Sequence, residues 1–331
     1  GHQAYDNFNP VGSTTGWGWR WMRLYYDFLV RLDPNSKPQL WAAAAIDIVG
    51  DASIEVQLRD GMKFHDGMPV TAQDVAFSFE YLRNSGYSYF DGYLSELKQV
   101  EVVAPLTVRS TLNSPSASVV TTALSQVAIL PRHIWETIEA PTSIAPAAVP
   151  VVGSGPFRFT EHDPGWSMSL DTFDEHFAAD NVAISGVDFL FYFDNAAVVS
   201  ALIAGEIDIT AGKIDPWLTP SVETAPGVGL MAAHDIGFNL VSYNTRRHVF
   251  GDVMFRRALT QAIDLERIAH VLLEGRATVG RGLIAPVNSF WHNPKIGQLT
   301  FDMDAARTKL LAAGFGWDAQ GQLMMPVHLA P

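Results

Sequence analysis

The residues able to do chemistry in this 331-residue chain are ten histidines, thirty-five carboxylates and a serine set between glycines. Ser154, in Gly153-Ser154-Gly155-Pro156, lacks the G-x-S-x-G elbow of a hydrolase, and Pro156 forbids the helix that should follow a nucleophile. Gly227-Val228-Gly229-Leu230-Met231-Ala232 spells a G-x-G-x-x-A string. A dinucleotide site needs a strand before that string and a helix after it, and Thr224-Ala225-Pro226 and Ala233-His234-Asp235 supply neither. His65-Asp66 is the most metal-like pair, yet Asp66-Gly67 reads as a turn and adjacent side chains diverge on a strand. His162-Asp163 falls in a second turn. Carboxylate pairs for glycoside hydrolysis are fixed by separation in space, which the sequence does not state. The absence of cysteine excludes disulfides, zinc–thiolate sites, iron–sulfur clusters and thiol nucleophiles. No metal, cofactor or catalytic group is assigned.

The aromatic residues carry a different signal. Nine Trp, nine Tyr and nineteen Phe accompany only 17% charged residues. Trp17, Trp19 and Trp21 alternate, so an extended chain would set all three rings on one face. Tyr87, Tyr89 and Tyr93 recur in a glycine-containing stretch expected to be exposed. Core packing accounts for most single rings. As a set they favour a binding cleft for amphiphilic ligands over a catalytic site, with Trp17, Tyr87, Tyr89 and Tyr93 as candidate contacts.

The elements that must position these groups are legible in part. Residues 1–20 read as a turn or loop, and Leu24 to Leu32 as an ordered amphipathic segment stopped by Asp33-Pro34-Asn35-Ser36. Ser53 to Arg59 alternates as a strand, and Thr71-Ala72-Gln73-Asp74 is a capping box for a helix running to about Arg83. Val100–Val103 and Leu106–Leu112 predict a strand pair, and Ser118–Ile129 a helix. The proline-containing stretch 140–150 is the best linker candidate. Phe157–Thr160 and Ser167–Asp171 predict a hairpin, and Val187 to Phe193 a strand covered on both faces. A helix capped by Asn195 and closed by Gly205, then a short strand Ile207-Asp208-Ile209, completes the βαβ pattern of a largely parallel sheet. Beyond residue 240, helices are expected to start at Asp252, Asp264 and Asp304, with Gly275 and Gly314 ending the last two. Gln322 to Pro331 reads as a strand that begins and then stops.

Length and a 48% hydrophobic content imply two or three domains with a real core. A net charge of −13 disfavours nucleic-acid binding and affinity for anionic lipid. No run of about 20 apolar residues occurs, so no membrane insertion is expected. The N-terminal Gly1-His2-Gln3 has no basic and apolar export signal, which leaves a cytoplasmic location or a removed signal open.

The ordered string of local features resembles one family. Val56-Gln57-Leu58-Arg59-Asp60-Gly61-Met62-Lys63-Phe64-His65-Asp66-Gly67-Met68-Pro69-Val70-Thr71-Ala72-Gln73-Asp74-Val75 is similar to the signature of family 5 extracellular solute-binding proteins. These serve ABC transporters importing peptides, nickel chelates, opines or oligosaccharides. Further landmarks are Gly153-Ser154-Gly155-Pro156-Phe157 and Ala204-Gly205-Glu206-Ile207-Asp208. They continue with Asn244-Thr245, Phe250-Gly251-Asp252, Arg256-Arg257-Ala258-Leu259, Ala262-Ile263-Asp264 and Gly275, and end with Asp304-Ala305-Ala306 and Leu310 to Phe315.

The resemblance implies an α/β fold: periplasmic-binding-protein type II-like lobes closing over a ligand, with an extra inserted domain. It implies a discontinuous first lobe, 1–36 and 151–238, an inserted domain, 37–150, and the start of a third domain, 239–331. A longer parent chain is expected, with the rest of the third domain missing here. The implied role is a non-enzymatic receptor outside the cytoplasm (periplasmic or extracytoplasmic, its signal removed) that delivers ligand to a membrane permease. Peptides rank first and oligosaccharides second; nickel ranks lower for want of a histidine cluster. A carboxylate-based hydrolase and a signalling or chaperone module are the competing readings. The resemblance assigns main-chain ligand contacts to Val11, Gly12 and Ser13, an aromatic contact to the Tyr87, Tyr89 and Tyr93 stretch, and further contacts to a strand near Asn239, Leu240 and Ser242.

Overall fold

Alternation over Ser53–Leu58 puts Ile54, Val56 and Leu58 on one side of the chain, and in the computed structural model all three are buried. The structure describes residues 8–12, 16–34, 37–139, 141–143, 149–210, 212–232, 237–289, 291–297, 299–326 and 329, the side chains of 16, 17 and 143 excepted. The chain divides into two compact units, 1–212 and 213–331.

In chain order the first unit carries α1 (Gly16–Tyr25), β1 (Val30–Leu32), β2 (Pro38–Leu40), β3 (Ala43–Ile48), β4 (Ser53–Leu58), α2 (Ala72–Asn84) and α3 (Asp91–Leu94). It continues with β5 (Leu97–Ala104), β6 (Thr107–Leu112), α4 (Ala123–Gln126), α5 (Arg132–Trp135), β7 (Phe157–Asp163), β8 (Ser167–Thr172), β9 (Gly186–Leu190) and α6 (Asn195–Ala204). The second unit carries α7 (Thr219–Thr224), α8 (His248–Gly251), α9 (Val253–Gln261), α10 (Leu265–Arg267), α11 (Met303–Ala312), β10 (Gly316–Trp317) and β11 (Leu323–Met324).

Two antiparallel sheets organise the first unit. One has the order β3-β4-β6-β5 and the other β7-β8-β9. The expected β5–β6 and β7–β8 pairs are present, the second turning at Gly165 with φ +84°. Helix α2 lays Val75, Phe79 and Leu82 on β5 and β6. Its capping box is formed: the Asp74 carboxylate accepts from the Thr71 N–H at 2.9 Å and the Thr71 hydroxyl at 2.6 Å. The other Asp74 oxygen accepts from the Arg132 N–H at 3.1 Å, so one buried carboxylate fixes the starts of both α2 and α5. The second unit is held mainly by α9 on α11, with Phe255, Ala258, Ala306, Leu310 and Phe315 buried together.

Several expectations are corrected. Residues 16–25 form a helix rather than a loop, because Trp19, Met22 and Tyr25, one turn apart, are all buried. Leu24 to Leu32 is not amphipathic: Tyr25 to Val30 is buried on every side, and β1 begins within it. The single helix over Ser118–Ile129 is broken into a 3-10 turn and the short α4. There the Thr122 and Ser125 hydroxyls bond to main-chain carbonyls of Ser118 and Thr121, and the Ile129 N–H is taken by Asp27 O at 2.9 Å. Among the described residues no parallel βαβ unit forms, since β9 pairs antiparallel with β8 and lies at a sheet edge, half-exposed. Ile207-Asp208-Ile209 pairs with nothing among the described residues, and Ile209 is exposed.

Two helix caps shift by one or two residues. Asp194 rather than Asn195 caps α6, accepting from the Ala197 N–H at 2.7 Å. Asp302 rather than Asp304 caps α11, accepting from Ala305 N–H at 2.8 Å. In each case an aspartate just outside the helix reaches the third amide, and the later residue is already inside the first turn. Asp252 and Asp264 cap as expected, with Phe255 and Arg267 N–H as donors. The helix after Asp264 widens into a π turn, Ile268–Leu272, where Ala269 alone is buried. Among the described residues from Gln322 onward the strand is β11, paired with β10.

Asp74 yields the first prediction. Asp74→Ala strands two backbone donors and a hydroxyl, and should lower unfolding free energy by about 2–3 kcal/mol. A shift of the urea midpoint at unchanged slope would show it; an unchanged midpoint would remove Asp74 from this role.

Candidate ligand site

Helix α1 turns about 200° between alternate residues, so its tryptophans diverge instead of sharing a face. Trp19 is buried and stacks on Tyr89 at 4.7 Å and 9° between ring planes. Trp21 turns the other way, onto Phe191 at 5.4 Å and Phe189 at 5.0 Å. The extended-chain reading of the three rings is thus overturned by the helix. The backbone of Trp17 lies in α1, and its side chain is outside the described residues.

The three tyrosines come together. Tyr87 stacks on Tyr89 at 5.7 Å, Tyr93 lies 5.3 Å from Tyr89, and Phe90 meets Trp19, Tyr87 and Tyr89 edge-on. Contrary to the expected exposure, each of the three tyrosines is half-buried, because the ladder rests on Trp19 and the core beneath it. Burial pushes the Tyr89 phenol up beyond the ordinary range, helped by Tyr93 and Tyr87 and opposed by Arg23. Arg23 is lowered by its own burial, and its guanidinium donates to Ser125 O at 3.1 Å and Gln126 Oε1 at 3.0 Å. The cluster is a neutral, partly dry aromatic ladder with some ring edge left to solvent, suited to stacking rather than to proton transfer.

Val11 is fully buried, and its N–H donates to Asn9 Oδ1 at 2.6 Å, forming an Asx turn that Gly12 leaves with φ +141°. Ser13 lies outside the described residues. Asn239, Leu240 and Ser242 belong to the second unit. They lie on exposed irregular chain rather than on a strand, and no described residue gives the 239–242 main chain a hydrogen bond. The open hollow lined by Arg158, Asp171, Asp174 and Ile184 includes none of the expected contacts. Among the described residues no three His, Asp or Glu side chains converge as a metal site.

Sequence reading missed a buried polar cluster. Asp27 is fully buried, and its Oδ1 accepts from Trp41 Nε1 at 2.6 Å and faces His176 Nε2 at 3.4 Å. The Arg31 guanidinium carbon lies 3.5 Å over the Trp41 ring, and burial lowers Arg31 to about 10, with Asp27 opposing and Arg23 adding. The available signal was a lone aspartate inside the apolar run Tyr25-Tyr26-Asp27-Phe28-Leu29: a charge there must find partners.

Antiparallel α/β units with an added four-stranded sheet define a solute-binding fold of the periplasmic type II class. Residues 37–328 match the model of "Bacterial extracellular solute-binding proteins, family 5 Middle", and the chain belongs to that family. It is 28% identical over 316 residues to the oligopeptide-binding protein AppA of Bacillus subtilis (strain 168), covering 94% of this chain and 57% of AppA. Its fold is similar to NikZ from Campylobacter jejuni in complex with Ni(L-His), with TM-score 0.84 and 25% identity over 97% of this chain and 64% of NikZ. It is similar also to the structure of Bacillus subtilis AppA in complex with a nonapeptide, with TM-score 0.83, 25% identity, and 97% and 63% of the two chains covered. The chain spans less than two thirds of the length of these relatives.

The dry ladder gives a spectroscopic prediction. Tyr89→Phe should leave the tyrosinate absorbance that appears near about pH 10, the ordinary phenol value, unchanged in amplitude. Loss of one tyrosine's share of that amplitude would show that Tyr89 ionises normally and the ladder is wet.

Proposed function

We propose that this chain acts as the substrate-binding receptor of an ABC importer, taking a short peptide outside the cytoplasm and delivering it to a membrane permease. The observation that carries the peptide reading is the exposed 239–242 main chain, whose amides and carbonyls take no bond from the described residues. An extended peptide is held mainly by such main-chain groups, with side chains adding selectivity. The half-buried Tyr87, Tyr89 and Tyr93, backed by the buried Trp19, supply a stacking surface of the kind an amphiphilic ligand uses. The nonapeptide held by AppA supports the same class of ligand. Ni(L-His), bound by NikZ, makes a metal–amino-acid chelate the alternative within the family.

In this reading Val11, Gly12, Ser13, Trp17, Tyr87, Tyr89, Tyr93, Asn239, Leu240 and Ser242 are the ligand contacts. The domain division 1–36 with 151–238, 37–150 and 239–331 belongs to the same proposal. In its support, the β3-β4-β6-β5 sheet falls wholly within 37–150 and the β7-β8-β9 sheet within 151–238. Residues 213–238 lie in the second compact unit, so the border between compact units, at 212/213, differs from the proposed one at 238/239. No bond is made or broken in such a cycle, and binding energy goes into holding the ligand rather than into a transition state.

Thermal shift with peptide pools, Ni(L-His) and oligosaccharides tests the ligand class. A ligand at 100 times its Kd adds about 2.7 kcal/mol of stability. Peptides should raise Tm. Leu240→Pro deletes one exposed N–H and should weaken peptide binding by about 2–13-fold, the factor for one net hydrogen bond, without lowering the Tm of the free protein. A response only to the chelate or to a sugar would overturn the peptide class, and no response to any would overturn the receptor.

A further inference from the structure

The signature turn and the glycine segment, two landmarks far apart in sequence, meet at one side chain. Residues 62–70 form a tight turn in which Phe64 N–H donates to Met68 O at 2.8 Å and Val70 N–H to Met62 O at 2.9 Å. His65, near its tip, donates its own N–H to Gly153 O at 2.8 Å. Its ring then makes two further contacts with the same segment. Nε2 lies 2.9 Å from Gly155 O, and Nδ1 accepts from the Gly153 N–H at 3.3 Å. A carbonyl only accepts, so Nε2 carries the hydrogen, and an N–H only donates, so Nδ1 is bare. The imidazole is therefore neutral and satisfied at both nitrogens. A second proton would have to sit on Nδ1, facing the Gly153 N–H.

The segment it holds has no slack. A Cβ on Gly153 would stand 1.7 Å from Tyr25 O, and one on Gly155 2.6 Å from Leu24 O, so the chain crosses the end of α1 backbone against backbone. Gly155 N–H donates to Tyr25 O at 3.1 Å. The Phe173 ring closes the other side of His65 at 5.0 Å, edge-on.

We propose that His65 is a proton-sensitive latch: neutral, its ring ties the 62–70 turn to the Gly153–Gly155 crossing at both nitrogens, and protonated, it loses the bond from the Gly153 N–H at Nδ1 while keeping the one to Gly155 O. The charged groups acting on it come from three directions. Asp27, after α1, favours the imidazolium, and Arg158 on β7 and His176 oppose it. Burial is the largest influence, and it lowers His65 below the ordinary imidazole value against the Gly155 carbonyl, whose bond to Nε2 favours the charged ring. On the outer side of the turn, Lys63 pairs with Glu175, and Asp66 lies 2.7 Å from His133. The sign follows. With its value lowered in the fold, the unfolded chain binds the proton more readily, so stability from this latch is complete above about pH 6.5 and is lost as pH falls below it. The inference does not depend on which ligand the receptor takes.

Nitrogen-15 NMR of the histidine rings in the whole chain tests it directly. His65 should show the Nε2–H tautomer and a titration midpoint below about 6.5. Between pH 7.5 and 5, the exchange protection of the Gly153 amide, relative to amides of β4, should fall by up to about tenfold for each pH unit by which that midpoint is depressed. His65→Gln, which keeps a donor and an acceptor but does not titrate, should abolish the fall, and His133→Gln should leave it in place. A midpoint at or above 6.5, or a wild-type pH dependence in His65→Gln, would overturn the latch. If that variant does not fold, the ring tautomer and midpoint of the unaltered protein decide.

Discussion

Most of the first unit depends on one steric fact: at Gly153 and Gly155 two stretches of backbone run so close that no side chain fits between them. The Tyr25 carbonyl occupies the place a Cβ of Gly153 would take. This crossing presses the Gly153–Pro156 segment onto the end of α1, and from it the chain enters β7 directly. Because α1 is fixed there, Trp19 is held under the tyrosine ladder and Trp21 against β9 and Phe191. Glycine is required at these two positions by close approach, whereas the glycines at Gly61, Gly67 and Gly165 serve turns with positive φ and meet nothing within 4 Å.

A cluster of polar groups lies in the core just after α1. Asp27 follows α1 into the core, where an unpaired carboxylate would cost several kcal/mol. Trp41 and His176 donate toward it, and Arg31 lies on the far face of the same indole. The stretch Phe173–Phe177 serves both polar sites, with Phe173 against His65 and His176 against Asp27. Phe177 meets Trp41 edge-on at 5.1 Å and lies under Arg59. Thus the turn that carries the family signature, the segment after β8 and the end of α1 form one joint.

The ladder in the first unit and the 239–242 chain in the second differ in chemistry. The first is a set of stacked, half-buried rings, in which burial holds the Tyr89 hydroxyl protonated. The second is exposed main chain with its hydrogen-bonding groups open. Stacking tolerates many side chains, and main-chain bonds ignore them, so neither feature by itself selects a ligand by sequence.

Sequence alone determined what depends on neighbours along the chain. The alternation of β4, the Thr71–Asp74 capping box, the hairpin at Gly165, the Asp252 and Asp264 caps and the Gly205 and Gly314 helix ends are all local and were all legible. The ordered landmarks likewise carried the family, because each marks a turn or cap that the fold requires. Tertiary structure decided whatever rests on burial. A glycine- and tryptophan-rich stretch became α1 since its rings could be covered; the Ser118–Ile129 helix broke since side-chain hydroxyls and Asp27 O took its main-chain groups; β9 stayed at an edge. The tyrosines expected on the surface are half-buried over Trp19, and His65 found its partners some ninety residues away, a pairing that no local pattern encodes. Local propensity differs by under about 1 kcal/mol per residue, and a buried side chain is worth about 1.5–3, so where the two disagree the core prevails.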